Sequence, residues 1–469
     1  MNQNIKTYDL AVMGGGPGGY VAAIRAAQHG LKVLLVEKDA VGGTCLNRGC
    51  IPTKSFVYDS KLFNAARSSS ILKGAENLSV EPTKMVERKR KIVTTMVGGL
   101  EKILSSNSIE MLAGLAELNA PGKVRVVQTD GAALTIEARH IILATGSRPA
   151  APSFIDIDGQ FVQTTDEALN MEDIPGRLVI IGGGVIGLEM ATIYLNLGSQ
   201  VTIIELLPDI LTTEDKEIRQ TMRKLLEQKG AEIHLDAKVK EITTKDSSVT
   251  VIFEDHSKAL HNCQTDRVLV AVGRQPVLDG IDAAKLRLVM DGSFVKVNAH
   301  LATNLSGVYA IGDLIGGMML AHKASAEGEA AVENIFGHRT EVKPQLIPRC
   351  IWGLVEIGAV GLTEAEARAT GRPIKVGKFS YANSGAAHAI GDINGFVKIV
   401  GDAATGEILG VHILGEHATD LISEAVTVMK MEGAVEDLYE AIKPHPTLSE
   451  TVLEAALDWN GLAIHALKK

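Results

Sequence analysis

The sequence predicts an α/β chain with two similar domains of the strand–turn–helix–strand kind, followed by an α+β domain at its C-terminal end. Three observations support this prediction. A glycine-rich turn between an apolar strand and a helix occurs twice with the same spacing, and each copy is followed by an apolar strand that stops at a glycine turn. The last part of the chain changes to alternating strands and then helices. The 469 residues suffice for about three domains.

The first copy begins with an apolar strand over residues 8–13 and ends at the acidic residue Glu37. A helix after the turn runs to Gly30, a candidate cap. The turn itself contains Gly14, Gly16, Pro17 and Gly19. Such glycines let the backbone approach a pyrophosphate at the helix N-terminus, and the acid accepts hydrogen bonds from an adenosine ribose. A glycine-rich turn alone is weak evidence, but all five parts in order predict a Rossmann-like dinucleotide-binding domain.

The second copy begins with a strand over residues 178–181 and ends at Glu205. Its turn contains Gly182, Gly184 and Gly187. Glu205 lies 23 residues after Gly182, as Glu37 lies 23 residues after Gly14. The residues that follow Glu205 include no arginine, and a carboxylate there suits a free ribose 2′-hydroxyl, which favours NAD over NADP. Two dinucleotides in one chain suggest electron transfer between two carriers.

A stretch rich in glycine and cysteine, residues 42–54, indicates redox chemistry. Four residues separate Cys45 from Cys50, and a disulfide requires Cα atoms within about 7 Å. Positions five apart in a regular helix are usually farther apart, so a bridge would distort the first turn, which Gly49 and Pro52 permit. A strained bridge with a short loop is typical of catalytic pairs, whereas the alternative is two unrelated buried cysteines.

Three further apolar strands end in glycine turns. Residues 140–149 include Thr145 and Gly146, and residues 268–276 include Gly273. We interpret these two as matched crossings out of the two nucleotide domains. The third strand ends in Gly312 and Asp313, and the acid can bind a sugar-like hydroxyl or cap a helix.

The C-terminal part carries its own signals. Residues 396–400 and 408–414 alternate around a turn and predict a hairpin, with a helix through Met431, which suggests an antiparallel sheet with one covered face. His445 stands between two prolines, with Glu450 five residues later. A lone histidine is usually structural, but this arrangement is also a candidate acid–base pair.

Composition excludes several classes. A net charge of −9 without basic runs argues against a nucleic-acid partner. No apolar run reaches the roughly 18 residues of a membrane span, and the N-terminal residues lack the apolar core of a signal peptide, so we expect a cytoplasmic protein. In a reducing cytosol a close cysteine pair is typical of catalysis or metal binding. We predict no metal, because no second Cys or His pair has ligand spacing, and we take Cys263 and Cys350 as structural.

Over essentially its full length the chain resembles the FAD-dependent pyridine nucleotide–disulfide oxidoreductases, and residues 42–54 are the most specific part of the resemblance. The resemblance implies that the first site binds one non-covalent FAD per subunit and the second binds NAD. It implies domains at 1–150 (FAD-binding), 151–275 (NAD-binding), 276–345 (a return to the FAD-binding or central part) and 346–469 (dimerisation). The cofactor-binding residues that it implies are Gly14, Gly16, Pro17, Gly19, Glu37, Lys38, Gly43, Thr44, Lys54, Thr145, Gly146, Gly182, Gly184, Gly187, Glu205, Gly273, Gly312 and Asp313.

The resemblance also implies catalytic roles. Cys45 and Cys50 would form the redox disulfide, and Lys54 and Glu189 an ion pair beside the flavin ring. His445 and Glu450 would be a dyad supplied by the other subunit of a homodimer. The activity implied is oxidation of dihydrolipoyl groups on the lipoyl domain of a 2-oxoacid dehydrogenase or glycine cleavage complex, with reduction of NAD.

Other activities remain open from the sequence. The scaffold is shared by glutathione- and mercuric-reductase-like enzymes, and a catalytically silent flavoprotein could serve as a binding module. Glutathione-type enzymes use NADP and basic residues, which are absent after Glu205, and mercuric-type enzymes carry a further C-terminal cysteine pair, which is absent from the last residues here.

Two positions depart from the family pattern. Residues 352–356 lack the proline of the usual Thr-x-Pro-Glu segment, which affects the predicted interface geometry. Arg48 lies between the cysteines, where a small apolar residue is common. Either Arg48 faces solvent, or its charge lowers a thiol pKa.

Overall fold

The computed structural model describes residues 6–467. The elements up to residue 149 are β1 (Lys6–Met13), α1 (Pro17–Gln28), β2 (Val33–Glu37), α2 (Gly43–Arg48), α3 (Cys50–Arg67), α4 (Pro82–Ser106), β3 (Glu110–Ala120), β4 (Lys123–Gln128), β5 (Ala133–Leu143) and β6 (Ser147–Pro149). β1 pairs in parallel with β2 on one side and β5 on the other, whereas β3, β4 and β5 form an antiparallel ribbon. The central strand β1 has apolar residues on both of its faces. This is typical of a parallel strand whose sheet is covered by other elements on both sides.

The next part repeats the same plan. Its elements are β7 (Val162–Gln163), α5 (Thr165–Ala168), β8 (Arg177–Ile181), α6 (Val185–Leu197), β9 (Gln200–Ile204), α7 (Lys216–Gln228), β10 (Glu232–His234), β11 (Lys238–Lys245), β12 (Ser248–Glu254), β13 (Leu260–Thr265), β14 (Arg267–Val270), β15 (Arg274–Pro276) and α8 (Ala283–Leu286). The parallel sheet has the order β10-β9-β8-β14-β7, and β11, β12 and β13 form an antiparallel sheet. Helix α6 is buried from Gly187 to Leu197, which matches its apolar sequence.

The chain then returns to the first sheet. The elements here are β16 (Met290–Asp291), β17 (Phe294–Val295), β18 (Val308–Ala310) and α9 (Ala321–Ile335), with a 3₁₀ turn over Gly312–Ile315. β18 pairs in parallel with β5, and α9 packs against α1. β6 and β15 pair antiparallel, so the two predicted crossings lie side by side.

The last part is an antiparallel sheet with helices. Its elements are β19 (Arg349–Trp352), β20 (Glu356–Gly361), α10 (Glu364–Ala369), β21 (Ile374–Ser380), α11 (Gly385–Ile390), β22 (Phe396–Asp402), β23 (Ile408–Leu414), α12 (Ala418–Lys430), α13 (Val435–Glu440) and α14 (Glu450–Trp459). The strand order is β19-β20-β23-β22-β21, and the predicted hairpin is formed by β22 and β23.

One expectation about this sheet is wrong. Every residue of β22 and β23 is buried, so the sheet has two covered faces rather than one. Helices α12 and α14 pack on the sheet, and the N-terminus of α7, from the preceding part of the chain, contacts Lys398 of β22. The second face is covered in part by Leu362 and Ala367, close by in sequence, and in part by the start of α7, more than 180 positions away, a contact that local patterns do not reveal.

The structure confirms the predicted α/β class with its two repeated parallel sheets and C-terminal α+β sheet. The domain boundaries at residues 150, 275 and 345 stay predictions. Within residues 6–467, no helix combines the length and apolarity that crossing a membrane requires.

Candidate active site

Cys45 and Cys50 lie in two consecutive helices that meet at Gly49. Helix α2 ends at Arg48, Gly49 has a non-helical backbone (φ −129°, ψ −109°), and Cys50 is the first residue of α3. The helix is therefore interrupted at Gly49, one of the two residues that we expect to permit a distorted first turn. Both side chains are half-buried free thiols, and the break places Cys50 at the positive end of an 18-residue helix.

The two thiols differ in how firmly they hold a proton. The pKa of Cys50 is lowered from 9.0 to about 7, chiefly because Cys45 donates a hydrogen bond to its sulfur. Burial acts in the opposite direction, and the charge of Lys54 lowers the pKa further. The pKa of Cys45 is raised, first by the hydrogen bond to Cys50 and then by burial. The reduced pair thus holds its proton on Cys45 and its negative charge on Cys50.

The predicted ion pair of Lys54 and Glu189 is formed. Lys54 Nζ lies 2.9 Å from both carboxylate oxygens of Glu189. Lys54 belongs to α3, one turn after Cys50, and Glu189 belongs to α6, the helix that follows the second glycine turn. Only 5% of the Glu189 side chain and 28% of the Lys54 side chain are exposed, so a buried carboxylate and a partly buried ammonium connect the two dinucleotide units.

Trp352 contacts both members of this ion pair, and the sequence analysis did not predict this contact. Its backbone N–H donates to Glu189 Oε1 at 3.2 Å, and the Lys54 ammonium lies 4.4 Å from the centroid of its ring. The atypical 352–356 segment therefore contacts the ion pair directly. The only signal in the sequence was the departure from the family pattern at these positions.

The two glycine turns have the same geometry. Gly14 and Gly182 have φ of +107° and +110°, and a Cβ on either would collide with the carbonyl oxygen of the strand that leaves the sheet, from Ala144 or Ala271. The third glycine of each turn also has no room for a side chain. A Cβ on Gly19 would collide with the carbonyl oxygen of Gly14, and a Cβ on Gly187 with that of Gly182. These positions therefore require glycine for close backbone packing.

The turns offer backbone donors to a phosphate. Gly16 caps α1 and Gly184 caps α6, and neither cap provides a side-chain acceptor for the first-turn N–H groups. Such a helix start is a ready anion site. The uncapped first-turn N–H groups at both turns fit a pyrophosphate.

The two acids are held alike. Glu37 accepts hydrogen bonds from the N–H groups of Gly15 (2.7 Å) and Asp39 (2.8 Å). Glu205 accepts from the N–H groups of Gly183 and of Leu207, the latter at 2.7 Å. Each carboxylate oxygen keeps a second lone pair with which it can accept from a ribose hydroxyl.

Helix α2 joins the cysteine pair to the first glycine turn. Gly43 has φ of +54°, and a Cβ on it would lie 2.7 Å from the Cα of Gly16. Thr44 is the next residue, directly before Cys45. The backbone contact places the start of α2 against the turn, so the thiols and the predicted first dinucleotide share one region.

Asp313 lies in the 3₁₀ turn and does not cap a helix with its side chain. It accepts a hydrogen bond from Ser147 Oγ and lies 3.7 Å from Arg274 Nε, which itself donates to Ser147 at 2.7 Å. Sequence reasoning missed Ser147 and Arg274. Each directly follows the glycine of a matched crossing, Gly146 or Gly273, and that shared position was the available signal.

Three other residues make local contacts. Thr145 Oγ1 donates to the Val277 carbonyl at 2.6 Å, which ties the first crossing to the second. The Lys38 ammonium pairs with the exposed Asp279 at 2.8 Å. Arg48 pairs with Asp39 and is 40% exposed, which favours the solvent-facing interpretation of Arg48.

The structure brings His445 and Glu450 together. His445 Nδ1 lies 2.9 Å from Glu450 Oε1, and the other carboxylate oxygen accepts from the N–H of Thr447 at 2.9 Å. Burial raises the pKa of Glu450, but the hydrogen bonds from Thr447 and His445 outweigh it and the pKa is lowered. The His445 side chain is 78% exposed, so its free ring edge is accessible to another molecule.

The described residues contain no group of three or more His, Cys, Asp and Glu side chains that could hold a metal ion. Cys263 and Cys350 are half-buried free thiols, and burial raises the pKa of both.

Comparison with known proteins agrees with this site. Residues 8–328 match the pyridine nucleotide-disulphide oxidoreductase family, and residues 347–456 match the dimerisation domain of that family, which supports a homodimer. A dihydrolipoyl dehydrogenase of Bacillus subtilis is 40% identical over 98% of this chain and 99% of the relative. One of Thermus scotoductus is 41% identical over 99% and 100%.

Two solved structures are similar over most of the fold. The flavoprotein disulfide reductase RclA of Escherichia coli, as a Cu(II) complex, has a TM-score of 0.86 at 26% identity, covering 96% of this chain and 99% of its own. LpdA of Mycobacterium tuberculosis has a TM-score of 0.89 with the same coverage, and its 23% identity shows the fold alone. The family match supports the use of FAD and a pyridine nucleotide. With its cysteine pair between two glycine turns of equal geometry, this chain belongs to the pyridine nucleotide-disulphide oxidoreductase family.

Proposed function

We propose that this chain is a dihydrolipoyl dehydrogenase, which oxidises dihydrolipoyl groups through a Cys45–Cys50 disulfide and FAD and reduces NAD to NADH. The observation that carries the proposal is the cysteine pair at the junction of α2 and α3, which Gly43 holds against the first glycine turn. The substrate rests on the relatives of about 40% identity that bear this name.

The thiol chemistry follows from the protonation pattern. His445, supplied by the second subunit, takes a proton from one substrate thiol, because only a thiolate is a competent nucleophile. Glu450 holds the imidazole by its Nδ1. The substrate thiolate attacks the sulfur of Cys45 in the disulfide, the S–S bond breaks, and Cys50 leaves as a thiolate.

The second substrate thiol then closes the product. It attacks its neighbour in the mixed disulfide, the substrate disulfide forms, and Cys45 leaves with the second proton. The substrate has lost two electrons and two protons, one to His445 and one to Cys45. The end state, a protonated Cys45 beside a Cys50 thiolate, has the protonation that the opposite pKa shifts of the two thiols favour.

The glycine turns and acids are the residues that would hold the two dinucleotides. For FAD these are the first turn, Glu37 and Asp313, with Lys54 and Glu189 beside the ring. For NAD they are the second turn and Glu205, whose carboxylate disfavours a 2′-phosphate. Bound flavin would supply a two-electron acceptor between the thiol pair and the nicotinamide. Non-covalent binding of one FAD per subunit is part of the proposal.

We propose a cytoplasmic homodimer whose partner is the lipoyl domain of a 2-oxoacid dehydrogenase or glycine cleavage complex. In this arrangement each dyad serves the cysteine pair of the other subunit. The exposed edge of His445 and the match to a dimerisation domain support it.

The test is the formation of NADH from NAD and dihydrolipoamide by the purified protein. Parallel assays supply NADPH with oxidised glutathione and NADPH with Hg(II). The flavin released from the protein is identified by mass spectrometry. The expected result is NADH formation that Cys50→Ser abolishes. Turnover with glutathione or Hg(II) alone would replace the proposed substrate, and bound flavin without any turnover would indicate the silent binding module.

A further inference from the structure

A buried cluster of charges joins the second dinucleotide unit to the C-terminal sheet. Lys398 of β22 is 2% exposed, and its Nζ lies 3.0 Å from Asp215 Oδ1, 2.9 Å from Glu217 Oε1 and 2.7 Å from Glu364 Oε2. Asp215 and Glu217 stand at the start of α7, whereas Glu364 opens α10. One ammonium group therefore holds carboxylates from both parts of the chain.

Two more contacts run beside this lysine. Asp215 Oδ2 accepts a hydrogen bond from the backbone N–H of Glu364 at 3.2 Å. Arg349 of β19 donates to Glu214 Oε1 at 2.9 Å, and only 1% of the Glu214 side chain is exposed. Burial alone would lower the pKa of Lys398, but its carboxylate partners outweigh burial and raise it, so the lysine stays charged. Loss of that charge would leave the buried Asp215 carboxylate without its cation, whereas Glu217 and Glu364 keep Lys378 and Arg368.

The same segment of chain reaches the second glycine turn. Residues 205–215 begin at Glu205, the acid held by Gly183 N–H, and end at Asp215. Midway, Leu211 N–H donates to the Gly183 carbonyl at 3.0 Å. Ile210 packs so tightly that a Cβ on Gly183 would lie 2.8 Å from its side chain. The segment is therefore fixed at the turn along its first half and at Lys398 at its end.

We propose that Lys398 is a positioning residue for NAD: it fixes residues 205–215 and, through them, Glu205 and the second glycine turn. The inference rests on the proposed function only in taking this turn as the NAD site. Lys398 acts from the C-terminal sheet and reaches the nucleotide only through this segment. Its loss therefore weakens NAD binding and leaves the thiol chemistry of Cys45 and Cys50 intact.

The experiment separates the two halves of the reaction in the holoenzyme. NAD binding to the oxidised protein is titrated by calorimetry, and flavin reduction by dihydrolipoamide is followed without NAD. For Lys398→Met we expect the Kd for NAD to rise about tenfold, within the range typical of coupling between sites. The rate of flavin reduction by dihydrolipoamide and the flavin content stay unchanged.

A second variant covers the risk that Lys398→Met does not fold. Asp215→Asn keeps the Oδ1 acceptor for Glu217 N–H, which caps α7, and removes the charge that faces Lys398 together with the acceptor for Glu364 N–H. We expect the Kd for NAD to rise in the same direction by about threefold, because two carboxylates still hold the lysine. The matched control is Lys375→Met. Lys375 is an exposed lysine on β21, and it contacts Trp459 and Asn460 at the end of α14, within the same C-terminal part of the chain.

The proposal is overturned if Asp215→Asn and any folded Lys398→Met bind NAD as tightly as Lys375→Met does. It is also overturned if NAD binding and the dithiol reaction weaken together, because that result indicates general destabilisation. Failure of the unmodified protein to oxidise dihydrolipoamide would overturn the proposed substrate. The NAD titrations would still decide the role of Lys398, since they do not depend on the dithiol.

Discussion

The hydrogen bond between the two active-site thiols makes a prediction that can be measured without turnover. Replacing Cys45 by alanine removes the donor that is the largest cause of the low pKa of Cys50. The pKa of Cys50 falls from 9.0 to about 7 in the intact pair, which corresponds to roughly 3 kcal/mol. A hydrogen bond to a charged group contributes about 1.5–3 kcal/mol, or roughly one to two pKa units.

Cys45→Ala should therefore raise the pKa of Cys50 to about 8–9. At pH 7 the thiolate fraction should fall from about one half to about one tenth or less. The assay is the ultraviolet thiolate absorbance of the reduced apoprotein against pH, as a difference from the Cys45→Ala/Cys50→Ser double variant. Cys263→Ala, which removes a distant thiol, should leave the midpoint near 7. A midpoint that also stays near 7 in Cys45→Ala would refute the reasoning.

Three further predictions concern the groups around the pair. Lys54→Met leaves the buried Glu189 carboxylate without its cation and should lower the free energy of unfolding by about 3–5 kcal/mol in urea denaturation. The double variant Lys54→Met/Glu189→Met should recover most of this loss, and an equal loss in both variants would contradict a buried charge as its cause. Trp352→Leu removes the ring next to the Lys54 ammonium and should cost about 1–2 kcal/mol in the same assay, with a smaller loss for Trp352→Phe; equal losses would assign the effect to packing. His445→Gln should slow flavin reduction by dihydrolipoamide about 10²- to 10⁴-fold and leave flavin reduction by NADH unchanged, so slowing of both would argue against an acid–base role.

Local sequence signals were sufficient for much of this molecule. The glycine turns, the acids Glu37 and Glu205, the β22–β23 hairpin and the helix break at Gly49 all depend on residues close together in the chain, where backbone conformation follows residue type. The pairing of Lys54 with Glu189 rested on family resemblance. His445 and Glu450 were a candidate pair from their spacing, and only their role as a dyad supplied by the other subunit rested on the resemblance.

Contacts between distant segments could not be predicted in this way. Trp352 meets Lys54 because β19 packs against α6, the helix of Glu189. Lys398 stands between apolar residues of β22, where the pattern suggests an exposed position in a half-covered sheet. Its carboxylate partners lie more than 180 positions away at α7 as well as nearby at α10, and no local periodicity links them.

The cluster around Lys398 limits how this chain can be recombined with its relatives. A chimera that takes its second dinucleotide unit from one parent and its C-terminal sheet from another would separate Asp215 and Glu217 from Lys398, and Glu214 from Arg349. Unless the second parent carries the same charges, the hybrid would bury unmatched ions at the junction. Functional hybrids should therefore keep residues 214–217 and the strands of Arg349 and Lys398 from a single parent.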